Sequence, residues 1–334
     1  MKKSFKMRIA RILGVLILVY IICTPFRGQN DKTVENNYRR MKAYIDAGVF
    51  QPSSGPPLTC DENGENVFLL IVIPSAVTNF EQRNVIRKTW GNVTKVRPHV
   101  VVRFLVGRAV ESSIKELVQT ENRIHHDVIM EEIPEIYENL TQKSVAMLRW
   151  IISYCSRARY FLKIDDDMFL NLSRLLNFLS EQAQTNSIIG CRFEHSKPRR
   201  YPFLKWYVSL EQYSESEYPV YVSGPAYVIS GDILFKLYQA TKEVPQFLFE
   251  DVYITGMCRR HIGAVAKSHP EFTCGYRDVA PCGSHFMYRI TGHHYSPTEI
   301  SRMWTELRDR WSTCRLIDSF GIYIIVDLLK WIFL

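Results

Sequence analysis

Tyr160-Phe161-Leu162-Lys163-Ile164-Asp165-Asp166-Asp167 is a mainly apolar run that ends abruptly in three carboxylates. Such a run predicts a strand buried on both faces. Upstream, strands predicted at Val67–Ile73, Val100–Val106 and Asp127–Met130 alternate with helices predicted at Phe80–Trp90, Val110–Arg123 and Leu140–Tyr154. Alternation of this kind implies an α/β fold with a mostly parallel sheet and helices on both faces. Ligands in such sheets bind beyond the carboxyl ends of the strands, which is where Asp165 to Asp167 fall. Downstream the pattern is less regular: a strand within Val220–Ile229, a helix opening at Gly231-Asp232 and another over residues 250 to 260. Ser296-Pro297-Thr298-Glu299 reads as a capping box with proline at the first helical position, starting a helix through Arg310.

Three adjacent carboxylates repel one another, and a divalent cation with a preference for oxygen ligands, Mg²⁺ or Mn²⁺, relieves that conflict and can hold a diphosphate. The alternative is a solvated acidic turn. Arg83 and Arg87 lie four residues apart on a predicted helix, so both guanidinium groups share one face and suit bidentate contact with phosphate; an exposed basic face is the competing explanation. Glu250-Asp251 follows the apolar Phe247-Leu248-Phe249, where a carboxylate either caps a helix or does chemistry. Held in a dry cleft, it would have a raised pKa suited to a general base. His293-His294 offers imidazole ligands to a metal, although a lone histidine is more often a bystander.

The chain has 334 residues, 46% of them hydrophobic and 23% charged, enough for a large buried core and unlike a disordered chain. Of its net charge of +8, five cations (Lys2, Lys3, Lys6, Arg8 and Arg11) precede the first apolar run, leaving +3 scattered over the rest. That scatter excludes a nucleic-acid-binding stripe. Ile12 to Cys23 is uncharged and almost wholly apolar, with only Arg27 close behind it. The asymmetry predicts a cytosolic tail (1–8), a signal-anchor transmembrane helix (9–26) and the bulk of the chain across the membrane; no small-x-small site marks it as a cleaved signal peptide. Residues 27–62, with Gln51-Pro-Ser-Ser-Gly-Pro-Pro57, read as a stem. Sequons begin at Asn92, Asn139 and Asn171. Seven cysteines follow Cys23 with no Cys-x-x-Cys pair, which predicts disulfides rather than zinc and leaves at least one thiol unpaired.

In order along the chain, these segments resemble the beta-1,3-glycosyltransferase family that includes beta-1,3-galactosyltransferases, beta-1,3-N-acetylglucosaminyltransferases and brainiac-like enzymes. Arg83-Asn-Val-Ile-Arg-Lys-Thr-Trp-Gly91 resembles the family's R-x-x-x-R-x-T-W-G, and Lys163-Ile-Asp-Asp-Asp-Met-Phe169 its D-x-D segment. Lys205-Trp-Tyr-Val-Ser209 and Tyr218 to Ser230 resemble the acceptor-side and glycine-bearing segments. Glu250-Asp-Val-Tyr-Ile-Thr-Gly256 is similar to E-D-V-x-x-G but carries one extra residue before the glycine.

The resemblance implies a GT-A fold over residues 63–312, a UDP-sugar donor, Mn²⁺ (or Mg²⁺) and inversion at the anomeric carbon. It implies Asp167 and His293 as metal ligands, with Asp165 and Asp166 supporting ribose and metal. Arg83 and Arg87 would lie at the donor site, and Asp251 would be the catalytic base. Galactose transfer to a glycoprotein or glycolipid glycan is the leading expectation, with N-acetylglucosaminyl or N-acetylgalactosaminyl transfer as the alternative. A non-catalytic glycan-binding relative is the alternative of another class. The expected location is the Golgi membrane, as a single-pass type II protein. Trp206, Tyr207, Tyr213, Tyr218 and Tyr221 offer flat surfaces for sugar rings or for a core. The apolar tail 313–334, interrupted by Asp327 and Lys330, exceeds the family pattern; packing on the domain, a homodimer contact and membrane contact all stay open for it.

Overall fold

The computed structural model describes residues 60–92, 100–135, 139–181, 184–309 and Cys314. The predicted tail 1–8, anchor 9–26, nearly all of the stem and residues 315–334 lie outside them; among the described residues no helix is long and apolar enough to cross a membrane. In chain order the strands of the main sheet are β1 (Leu69–Pro74), β2 (Val100–Arg108), β3 (Val128–Pro134), β4 (Tyr160–Ile164), β6 (Ser187–Phe193), β7 (Tyr221–Ser230) and β8 (Val265–Ser268). A separate ribbon pairs β5 (Phe169–Leu170) with β9 (Thr291–Gly292). The helices are α1 (Phe80–Lys88), α2 (Ser112–His125), α3 (Leu140–Tyr154), α4 (Leu172–Glu181), α5 (Leu234–Glu243) and α6 (Pro297–Arg308).

The sheet order is β3-β2-β1-β4-β7-β6-β8, and β7 alone runs against its neighbours. This is the mostly parallel sheet the alternating pattern predicts. Every residue of β1 and β4 is buried, so both faces of the sheet are covered there. The chain steps outward from β1 to β2 and β3, then returns to the other side of β1 as β4. Between β1 and β4 the order therefore reverses, and the connections leaving their carboxyl ends part to open a crevice.

The predicted elements up to Ile164 are all present, with ends displaced by a few residues. The second half holds more than the sequence pattern revealed. Gly190 and Arg192 interrupt the apolar run of β6, and β8 is four residues long with two of them polar. In α4, Leu172, Leu175, Leu176 and Leu179 bury one face at helical spacing in the main core. The predicted capping box of α6 is present in full: Ser296 accepts from the Glu299 backbone and Glu299 reaches back to the Ser296 N–H.

The segment 250 to 260 departs from an ordinary helix, since Val252–Cys258 is a π-helix. Its wider turn takes up the extra residue counted before Gly256. Gly256 is closely packed where it stands: a Cβ there would lie 3.1 Å from Tyr221 Cβ and 3.2 Å from Pro219 Cγ.

Six of the seven cysteines form disulfides, Cys60–Cys155, Cys191–Cys274 and Cys282–Cys314, leaving Cys258 as a buried thiol. Of the three sequon asparagines, Asn92 is exposed, whereas the side-chain amides of Asn139 and Asn171 donate to the carbonyls of Pro134 and Phe286. The side-chain amides of the latter two are thus engaged within the fold. Residues 195–218 make a second compact unit. Its Tyr213 and Tyr218 rings pack at 5.1 Å, and Tyr213 is buried.

Candidate active site

Asp165 to Asp167 leave the end of β4 and are fixed from three sides. The Asp165 N–H donates to the Pro225 carbonyl on β7, at 2.9 Å. The Trp90 indole N–H donates to the Met168 carbonyl at 3.1 Å. From the far end of the chain, the Tyr295 N–H donates to the Asp167 carbonyl at 2.9 Å. The short ribbon explains that last contact. Strand β5 begins two residues after Asp167 and β9 ends one residue before His293, so pairing Phe169 with Gly292 delivers both histidines to the triplet.

The three carboxylates differ in surroundings. Asp165 Oδ1 accepts from Lys163 Nζ at 2.5 Å. Asp166 Oδ2 accepts from Ser75 Oγ at 2.6 Å and Asn79 Nδ2 at 2.9 Å, both from the segment leaving β1. Burial, reinforced by the flanking carboxylates, still holds the Asp166 pKa above its ordinary value. For Asp167, burial pushes upward but His293 and His294 outweigh it, and its pKa is lowered.

Asp167 Oδ1 lies 3.3 Å from His293 Nε2, and Oδ2 lies 3.3 Å from His294 Nδ1. These are ion-pair distances without aligned hydrogen bonds, and Oδ1 is a buried oxygen with no hydrogen-bond partner. One ligand atom from each of the three residues falls within 4.8 Å of the others. His293 Nδ1 faces the Gly275 carbonyl at 3.1 Å, which requires the proton on Nδ1 and turns Nε2 toward Asp167. An orphaned carboxylate oxygen beside two imidazole nitrogens fits a divalent cation of Mn²⁺ type, whose ligand atoms at about 2 Å lie roughly 3 Å apart. The Cys191–Cys274 disulfide anchors the residue next to Gly275 and so supports His293 indirectly.

Arg83 and Arg87 do not present a paired basic face to this crevice. Arg83 has no exposed surface, and its guanidinium donates to Glu121, Ser75 Oγ and the carbonyls of Ala76 and Val77. Arg87 forks onto Asp127 and also reaches Glu121. Glu121 and Asp127, at α2 and just before β3, were invisible as their partners in sequence. Arg83 thus bears on the triplet through Ser75, which bonds Asp166.

The second acidic cluster lies across Lys163. Fully buried on β4, its Nζ donates to Asp165 Oδ1 and to the Gly224 carbonyl at 2.6 Å, and stands 4.0 Å from Glu250 Oε2. The Gly224 N–H in turn donates to Asp251 Oδ2 at 3.2 Å, while Asp251 Oδ1 accepts from the Val252 N–H at 2.8 Å. A Cβ at Gly224 would lie 3.3 Å from the Asp251 Cβ, a tight approach. Burial raises the Asp251 pKa against these donors. Glu250 accepts from the Tyr227 hydroxyl, and burial, opposed by Lys163 and aided by Asp251, carries it to about 7. Lys163, Tyr227, Ser75 and Asn79 escaped the sequence reading. The position of Lys163 two residues before the triplet was the one available signal.

A family model described as galactosyltransferase matches residues 81–270. The chain is 30% identical over 271 residues to beta-1,3-galactosyltransferase 1 of Homo sapiens, spanning 76% of this chain and 77% of that protein. It is 30% identical over 272 residues to beta-1,3-galactosyltransferase 9 of Homo sapiens, spanning 80% and 73%. Among solved structures, a glycosyltransferase involved in glycosylation of the major capsid of PBCV-1 superposes with a TM-score of 0.38 at 10% identity, over 71% of this chain and 98% of that one. That likeness is too slight to argue from. The family match takes in Arg83, Arg87, the triplet and Asp251, and ends before His293.

Proposed function

The chain belongs to the galactosyltransferase family, and on that premise we propose that it transfers galactose from UDP-galactose to a hydroxyl of a glycoprotein or glycolipid glycan, forming a beta-1,3 linkage with inversion. The observation that carries this reading is the joining of two carboxylate clusters through one buried lysine. Lys163 holds Asp165 on one side, and on the other holds the Gly224 peptide that fixes Asp251.

In the proposed step Asp251 accepts the proton of the acceptor hydroxyl as that oxygen bonds to the anomeric carbon. The bond from the anomeric carbon to the diphosphate oxygen breaks, and UDP departs with the electron pair. Two backbone N–H groups aim the Asp251 carboxylate, and its dry setting raises its basicity. Asp165 and Asp166 face the nucleotide, Asp166 held by Ser75 and Asn79. Asp167 and His293, with His294, would hold Mn²⁺ or Mg²⁺, which would supply neutralising charge for the leaving diphosphate. Arg83 and Arg87 act as positioning residues behind Ser75 and Glu121.

We place the protein in the Golgi membrane as a single-pass type II chain with a lumenal catalytic domain. The basic and apolar N-terminal pattern and three disulfides support that placement. A donor screen with the purified protein tests the function: UDP-galactose is turned over in the presence of Mn²⁺. Turnover of another UDP-sugar with none of UDP-galactose would overturn the donor assignment, and release of no sugar from any donor would overturn the enzyme reading for this chain.

A further inference from the structure

Glu250-Asp-Val-Tyr-Ile-Thr-Gly256 carries one residue more than the E-D-V-x-x-G spacing it resembles. In that spacing the glycine stands four residues after the aspartate; in this chain Thr255 stands there and Gly256 follows. An extra residue in a helix widens one turn into a π-helix and diverts a backbone bond. The Arg259 N–H accordingly donates to the carbonyls of Gly256 and Ile254 and passes over that of Thr255. The Arg259 side chain satisfies the carbonyl left over: Nε donates to it at 2.9 Å, while Nη2 donates to the Val220 carbonyl at 3.0 Å.

Thr255 has no exposed surface. Its hydroxyl accepts from the Val222 N–H at 2.8 Å and has two acceptors in reach, the Asp251 carbonyl at 2.6 Å and the Val222 carbonyl at 3.0 Å. A hydroxyl has one proton to give, and a threonine within a helix gives it to the carbonyl four residues back, which here is Asp251. Val222 lies two residues before Gly224, whose N–H donates to Asp251 Oδ2. A closed circuit results. It runs from the Asp251 main chain through the Thr255 hydroxyl to Val222, along β7 to Gly224, and back to the Asp251 carboxylate.

This stretch of β7 receives little from the sheet. Pairing with β4 ends at Ala226 opposite Ile164, and the register with β6 steps from Gly190 opposite Tyr227 to Arg192 opposite Val222. Ser223, Gly224 and Pro225 thus have no register partner among the described strand pairs. They are fixed from outside the ladder: Lys163 Nζ donates to the Gly224 carbonyl, the Asp165 N–H to the Pro225 carbonyl, and Thr255 holds Val222.

We propose that Thr255 is a positioning residue for Asp251, holding this stretch of β7 where the Gly224 N–H aims the carboxylate. The role presupposes Asp251 as the base and assigns a task to the residue that this chain has in excess. A methyl in place of the hydroxyl keeps the shape but leaves the Val222 N–H without an acceptor. The stretch then relaxes, and a displacement of about 1 Å in a reacting group costs about 10²-fold in rate.

Variants of the full chain test this. Thr255→Val should lower kcat about 10- to 100-fold while KM for UDP-galactose stays within about twofold, since the donor corner is untouched. Thr255→Ser keeps the hydroxyl and should stay within about threefold of the parent. A role in folding alone would lower the melting temperature of the valine chain and leave kcat of its folded fraction at the parent value, which overturns the proposal. Hydrogen exchange, read by mass spectrometry on the peptide containing Val222, needs no activity. The Val222 N–H should exchange at least about tenfold faster in the valine chain and near the parent rate in the serine chain; equal rates in all three overturn the proposal. If Thr255→Val does not fold, Thr255→Ala is read in the same way. Asp251→Asn in the same assay separates the two claims. An inactive Asp251→Asn beside a fully active Thr255→Val removes the positioning role alone, whereas an active Asp251→Asn removes the base and the positioning role with it.

Discussion

The two acidic clusters of the site are built on opposite plans. Around Asp167 the protein under-supplies partners: one buried oxygen has none, and two imidazole nitrogens stand 3.3 Å off without aligned hydrogen bonds. Around Glu250 and Asp251 it supplies them fully, with two backbone N–H groups, a tyrosine hydroxyl and a buried lysine. Burying a charge without hydrogen-bond partners is costly, and at Asp167 only the two flanking imidazoles offset that cost, which leaves room for a further cation. The second is complete in itself, and burial there is spent on raising proton affinity. One corner is shaped to receive a cation and the other to receive a proton.

The largest effect should come from the proton corner. Asp251→Asn keeps the size and one of the two backbone bonds, sets an amide NH₂ against the other N–H and removes the proton acceptor, so kcat should fall by about 10²–10⁴-fold. UDP affinity, measured by calorimetry, should stay within about twofold because the change lies away from the triplet. Turnover near that of the parent would remove Asp251 as base and erase the contrast.

Lys163 is where the two plans meet, and removing it should damage both. Lys163→Met leaves Asp165 and Glu250 without their shared cation and the Gly224 carbonyl without its donor. Stripping one partner from a buried charged cluster costs about 3–5 kcal/mol, read from urea unfolding. A loss under about 1 kcal/mol would mean that Asp165 and Glu250 are held by other groups.

How much of this contrast was legible beforehand depended on sequence distance. The parallel half of the sheet was readable because β1 is apolar throughout, β4 is apolar but for Lys163, and their helices fall between them at regular intervals. The triplet, Asp251 and the capping box were readable for similar reasons, as local patterns with local causes. The partners were not. Arg83 and Arg87 looked like a phosphate-binding face because Glu121 and Asp127, their ion-pair partners, are more than thirty residues away. His294 ranked below His293 in the sequence reading, yet a two-residue ribbon brings both to Asp167. No periodicity marks a strand of two residues. The widened helix at Val252–Cys258 surfaced in the sequence only as one residue too many before Gly256.

A smaller effect should appear in the pH dependence of stability. Glu250 has an ordinary value of 4.5 and is carried to about 7 in the fold, first by burial. Between those two values the folded chain keeps a proton that the unfolded chain has lost. Stability is therefore greatest below 4.5, falls as pH rises through the window, and levels off above about 7. The whole span amounts to about 3 kcal/mol. Glu250→Gln resembles the protonated side chain and lacks this slope, so the variant should gain on the parent as pH rises from 5 to 8. Urea unfolding at several pH values reads the difference. Parallel curves for the two proteins would show that Glu250 is already ionised at low pH and that the proton corner is not dry.

The smallest effect expected belongs to the cation corner, because the rest of the triplet stays in place. Asp167→Ala removes the carboxylate that faces both imidazoles. Mn²⁺ affinity in the presence of UDP should drop by at least about 10–100-fold, the range seen even for groups one shell further out. His293→Ala should match it, since that ring is buried, tautomer-fixed by Gly275 and aimed at the orphaned oxygen. His294→Ala should cost less, because its side chain is 54% exposed and water can take its place. Unfolding curves add a sign that activity cannot. Asp167 is held charged by its histidines, so without metal its removal should destabilise the chain, whereas removing an unpaired acid should stabilise it. A metal-free Asp167→Ala variant more stable than the parent would show that the histidines leave the carboxylate uncompensated, making the corner dependent on the cation for stability as well as for binding.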